Sequence, residues 1–175
     1  MSTAPLPADV ATHARNAIAW AMRRVGSTAY ATRCLAFVED AIERANALEL
    51  FGGDDAHESA ELYDAAANTG VPPAGALVFY DAFGELLSTH RNWGHVGLAL
   101  GDGDVIHAWD RVRVDGYRGL AALTPAPGWE SPRFVGWAPL ARVLEGSIRR
   151  EWPADDDPAE TASRMQTDRF APRSG

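Results

Sequence analysis

The strongest constraint on this chain is a change of hydrophobic period part-way along it. Val10, Ala14, Ile18, Met22 and Val25 fall on one helical stripe with Arg15, Arg23 and Arg24 off it, which predicts a helix over 8–25. Gly26 and Ser27 stop it. A second stripe, Leu35, Val38, Ile42 and Ala45, predicts a helix over 32–48 with Thr32 as N-cap and Cys34 in the first turn. A third, short helix is expected over 58–67, closed by Asn68 and Gly70. After "VPPAG" the texture changes. "ALVFY" reads as a buried strand, "WGHVGLALGDGDVIHAW" as a β-hairpin, "RVRVDGY" as an edge strand and "RFVGWAPL" as a further strand. Helices first and strands after predict an α+β fold, with N-terminal helices packed on a mostly antiparallel β-sheet.

A chain of 175 residues, 46% hydrophobic, suits a single domain, expected over 1–152. The acidic, Pro-containing remainder, 153–175, is expected to be a flexible tail. With 24 acidic against 16 basic residues the net charge is −8, so the basic stripe a nucleic-acid partner needs is missing. No apolar run approaches the roughly 18 residues of a membrane span, and "MSTAPLPADV" lacks the apolar segment of a signal peptide. The expectation is a chain that is cytoplasmic at synthesis, with release by a non-classical route left open. The lone Cys34 forbids an intramolecular disulfide and disfavours structural zinc. No cofactor and no metal are expected.

The hairpin carries two histidines, His95 and His107, in an otherwise apolar ribbon. A buried imidazole without partners loses hydrogen bonds, so these rings need a use. A cysteine at a helix start meets free N–H groups and the positive end of the dipole, which depress its pKa, and Arg33 pushes the same way. On the first strand His95 shares a face with the small residues Gly97 and Ala99, against which a helix could lie closely. Two turn registers are open. A two-residue loop, Asp102 and Gly103, pairs His107 with Leu98 and puts the imidazoles on opposite faces. A three-residue loop, 101–103, pairs His107 with Gly97 and makes the two rings diagonal neighbours. Only the second, or a bulge in the hairpin, allows a nucleophile, base and orienter to converge. Metal binding by the pair is the weaker reading, because no further ligand stands at convincing spacing. His13, on the first helix, and His57 and His90, in loops, are expected to be solvated.

Together, a cysteine opening a helix, the strand "PPAGALVFY" and "GHVGLALGDGDVIHA" with its spaced histidines resemble the NlpC-type cell-wall peptidases, papain-like cysteine enzymes. The resemblance covers about 25–108, with "RFVGWAPL" as a closing strand. It implies a papain-like NlpC-type fold, a nucleophile at Cys34, a general base at His95 and an orienting residue at His107. It also implies cleavage of amide bonds in peptidoglycan stem peptides. The chain departs from the family pattern in three places. Cys34 is flanked as Arg33-Cys34-Leu35-Ala36, with Phe37-Val38 closer to the related CHAP-like amidases. The strand opens Gly75-Ala76-Leu77, and the stretch before the cysteine is shortened to "GSTAYATR".

The expected function is therefore a cysteine peptidase or amidase acting on peptidoglycan or a related peptide, with Tyr30, Trp93 and Trp109 lining the cleft. An acyltransferase or peptide-tailoring enzyme using the same thioester chemistry is one alternative. A binding module without catalysis is another. A delivery or immunity partner fits a hydrolase that carries no export signal.

Overall fold

The computed structural model describes residues 8–153; the tail expected over 153–175 lies, from 154 on, outside the described residues. The first helix, α1 (Ala8–Met22), ends three residues before the expected stop, and Gly26, at φ +90°, donates its N–H to the Val112 carbonyl at 2.8 Å. The second, α2 (Cys34–Asn46), starts later than Thr32 because Thr32 itself turns left-handed, at φ 65°. Arg33 takes the N-cap position without a side-chain cap, and Thr32 donates its N–H to the Trp109 carbonyl at 3.3 Å. The expected Thr32 cap is thus replaced by a backbone tie that fixes where Cys34 begins its helix. Conversely, α3 (Ala56–Leu62) starts two residues early, because Asp55 caps it by accepting the Glu58 N–H at 2.8 Å. A 3-10 turn, Ala65–Ala67, follows separately.

The strands are β1 (Leu48–Glu49), β2 (Leu77–Asp81), β3 (Phe83–Leu86), β4 (Thr89–Asn92), β5 (His95–Ala99), β6 (Asp104–Ala108), β7 (Val112–Gly116), β8 (Arg133–Ala138) and β9 (Ile148–Arg149). Five of them form an antiparallel sheet in the order β7-β6-β5-β2-β8, so "RVRVDGY" is an edge strand as expected. Two small pairings, β1 with β9 and β3 with β4, flank it. A last short helix, α4 (Leu140–Val143), follows β8. The architecture is α+β, with helices and an antiparallel sheet. Among the described residues, no helix is long and apolar enough to cross a membrane.

Both faces of the sheet are covered. On one, Phe37, Val38 and Ile42 of α2 pack against Phe79, Val96, Leu98 and Ile106. On the other, Val78, Tyr80, Ala99 and Val105 pack with Leu120. This is why β5 is buried along its whole length and reads as a nearly continuous apolar run rather than an alternation. The helix therefore lies on the Val96 and Leu98 face. The small residues Gly97 and Ala99, expected to admit a helix, instead make room for Val105 and its neighbours.

Candidate active site

The hairpin turn decides whether the two imidazoles can meet. Leu98 pairs with Ile106 and Ala99 with Val105, leaving a three-residue loop, 101–103, with Gly101 at φ +96° and Gly103 at φ +94°. The glycines supply the left-handed backbone this turn requires. The register sets His107 opposite Gly97, and His95 Nε2 lies 2.9 Å from His107 Nδ1. Their rings meet edge-on, with centroids 5.0 Å apart.

Cys34, the first residue of α2, and His95, the first of β5, line one cavity of about 470 Å³. His95 stands at the first position of β5, so the shared cavity lies at the end of that strand rather than across its face. Cys34 is half-buried, and backbone N–H groups of Val96, Leu35 and Cys34 itself hydrogen-bond its sulfur. Those donors favour the thiolate, as the helix-start argument holds. Burial outweighs them, aided by the Asp55 charge, and the thiol is pushed up to about 11. The sequence expectation of a depressed thiol pKa is thus reversed by burial.

Burial, followed by the neighbouring His107, holds His95 well below the ordinary imidazole range. Burial also lowers His107, although Asp115 pulls it upward. The resting pair is a neutral thiol and a neutral imidazole. Beyond His107 the contacts continue: its Nε2 lies 2.8 Å from Asp115 Oδ2, and Arg113 grips the same carboxylate through Nε at 2.7 Å and Nη2 at 3.2 Å. Burial acts to raise Asp115, but these hydrogen bonds win and its carboxyl sits below the usual value. Sequence reading missed Asp115. The available signal was the alternation of "RVRVDG", which puts Arg113 and Asp115 on one side of the strand paired with His107.

The aromatic residues divide. Trp109 lines the cavity with its ring edge-on to His95 at 5.1 Å. Trp93 lines it too, tied by its indole N–H to the Gly84 carbonyl at 3.1 Å, with the Arg91 guanidinium over its ring at 3.8 Å. Tyr30 does not line it. It is buried against Trp20 and Phe37, and its hydroxyl donates to Asp40 at 2.7 Å. Tyr30 precedes the helix but turns into the core, because the buried Asp40 carboxylate needs a donor.

Sequence reading also missed the charge of the cavity. Seven of its lining side chains are carboxylic, among them Glu39, Asp40 and Glu43 of α2, and only Arg33 is basic. The unexpected β3–β4 hairpin contributes Glu85 and Leu86 to the wall. The other histidines stand apart from the cavity lining. His90 is exposed on β4 rather than in a loop, while His13 on α1 is half-buried. His57 is half-buried on α3, with Nδ1 3.1 Å from the Asn92 amide. Among the described residues no group of three or more His, Cys, Asp or Glu side chains is placed to hold a metal ion.

No family model matches this chain, and no curated protein matches it.

Proposed function

We propose that this protein is a papain-like cysteine hydrolase of NlpC type, which cleaves amide bonds in peptidoglycan stem peptides or a related peptide. The observation that carries this reading is the shared cavity: a cysteine opening a helix and a histidine hydrogen-bonded to a second histidine both line the same cleft. In the reaction His95 takes the Cys34 proton and the sulfur bonds to the amide carbonyl carbon. The backbone N–H of Cys34 holds the oxyanion. The C–N bond then breaks, the amine leaves with the proton carried by His95, and water opens the thioester. His107 orients His95 throughout.

One observation favours a second reading, a binding module without catalysis: the Cys34 thiol is raised, not lowered. Digestion of purified peptidoglycan followed by mass spectrometry separates the two. The hydrolase releases cleaved stem peptides with newly freed amines and carboxyls, and Cys34→Ala releases none. Wild-type protein that leaves the peptides intact, yet is retained on the polymer, supports the binding module and overturns the hydrolase. Cleavage that resists the addition of amines as acceptors also sets hydrolysis apart from acyl transfer.

A further inference from the structure

Asp115 lies on the edge strand β7, outside the cavity lining, with its side chain 20% exposed. It nevertheless closes a series of short contacts that starts at the proposed base: His95 Nε2 to His107 Nδ1 at 2.9 Å, then His107 Nε2 to Asp115 Oδ2 at 2.8 Å. Each contact dictates where the next proton sits. The Arg113 guanidinium, bonded to both carboxylate oxygens, keeps Asp115 ionised, and an ionised carboxylate only accepts hydrogen bonds. His107 Nε2 therefore carries a proton. A neutral ring protonated there has Nδ1 as an acceptor, so His95 Nε2 must be the donor. His95 Nδ1 is left with the lone pair, and it is the one nitrogen of the two rings engaged with neither His107 nor Asp115.

We propose that Asp115 is a positioning residue: it locks both imidazoles in the Nε2–H tautomer and so keeps His95 Nδ1 open to take the proton of Cys34. Charged and titratable groups reach this assembly from several elements. Arg113 and Asp115 stand on β7 and Asp110 in the β6–β7 turn, Tyr80 of β2 packs 6.0 Å from His95, and Cys34 shares its cavity. Among them Asp115 is the anion in contact with an imidazole nitrogen. Asparagine at this position offers His107 either an acceptor or a donor. In the second case His107 Nδ1–H donates to His95 Nε2, and the proton moves to His95 Nδ1, where it blocks the base.

The inference rests on the reading of Cys34 and His95 as nucleophile and base, but its first test does not. In the full-length protein with 15N-labelled histidine at neutral pH, both rings are expected to show Nε2 protonated and Nδ1 bare. Protonated Nδ1 on His95 in the wild type overturns the proposal without any variant. Asp115→Asn is expected to populate the reversed tautomer and to slow iodoacetamide alkylation of Cys34 about tenfold or more, by analogy with the tautomer loss in a serine triad. Asp115→Glu, which keeps the charge, restores much of the rate, a rescue that a purely structural role would not give. Unchanged tautomers together with an unchanged alkylation rate in Asp115→Asn overturn the proposal. If the wild-type rings are as expected but Cys34 is inert, the tautomer assignment stands and the hydrolase falls.

Discussion

A methyl group at Gly97 tests the register that brings the imidazoles together. A Cβ added there falls 2.2 Å from Val105 Cγ1 and 3.1 Å from His107 Cβ. Carbon atoms at optimal separation sit about 3.5–4.0 Å apart, so the overlap with Val105 exceeds about 1 Å. Val105 is fully buried and cannot swing into solvent. Gly97→Ala is therefore expected to destabilise the fold by about 2 kcal/mol, within the usual cost of overpacking. Val105→Ala alone removes two buried carbons, worth about 1.6 kcal/mol, and with a cavity term about 2 kcal/mol. Additivity would put the double variant near 4 kcal/mol. Because the new methyl enters the space left by Val105 Cγ1, the double variant is expected at about 2 kcal/mol instead, a coupling of about −2 kcal/mol. Urea unfolding at constant m-value measures all four species. The same four are assayed for Cys34 alkylation, since Gly97→Ala also pushes on His107. A Gly97→Ala variant within about 0.5 kcal/mol of wild type, or strict additivity, refutes the close approach on which the His95–His107 contact depends.

Two further tests address the acidic cavity. Burial, and then the adjacent Glu39, push the Glu43 carboxyl up to about 8, so the folded chain holds a proton that the unfolded chain releases near pH 4.3. This contribution to stability is complete below that pH and is lost as pH rises through about 8. The unfolding free energy is expected to fall between pH 5 and 9 by an amount on the order of a few kcal/mol, and Glu43→Gln, which retains an acceptor for the Leu50 N–H at 3.0 Å, to flatten that fall. Parallel wild-type and Glu43→Gln profiles would refute this. Even with Glu43 protonated, the remaining six carboxyl side chains against Arg33 favour cations at the cavity. A cationic methanethiosulfonate should modify Cys34 at least about tenfold faster than an anionic one at low salt, with the ratio shrinking above about 0.1 M salt. Equal rates at low salt would contradict it.

Much of the fold was legible because the sequence changes period where the structure changes class. The stripe of Leu35, Val38 and Ile42 is buried on α2, and "ALVFY" runs into β2. What escaped detection depends on contacts distant in sequence. Thr32 loses its capping role because its N–H is tied to Trp109, far along the chain. The β3–β4 hairpin turns through Leu87 and Ser88, both left-handed, at φ 51° and 62°, where sequence rules look for glycine or asparagine. At the site, the two histidines could be singled out, but the loop length that aligns them could not. Tyr30 was misassigned because closeness to Cys34 in sequence says nothing about the buried Asp40 that holds its hydroxyl.

If Cys34 and His95 react as proposed, the raised thiol and lowered imidazole place a physical demand on the substrate. Burial disfavours both charges and leaves Cys34 and His95 neutral, so under that reading the ion pair forms as a carbonyl arrives rather than before it. The backbone donors on the sulfur and the Asp115 carboxylate two rings away act on opposite sides of that pair: N–H groups of Val96 and Leu35 favour the thiolate, and Asp115 pulls His107, the ring bonded to His95, upward against burial. Both are fixed before binding, so neither costs reorganisation when the proton moves. Burial opposes each charge singly but strengthens the attraction between two opposite charges formed side by side. The same burial that quiets the thiol would therefore favour its paired form in the proposed reaction, where a bound substrate keeps water from the site.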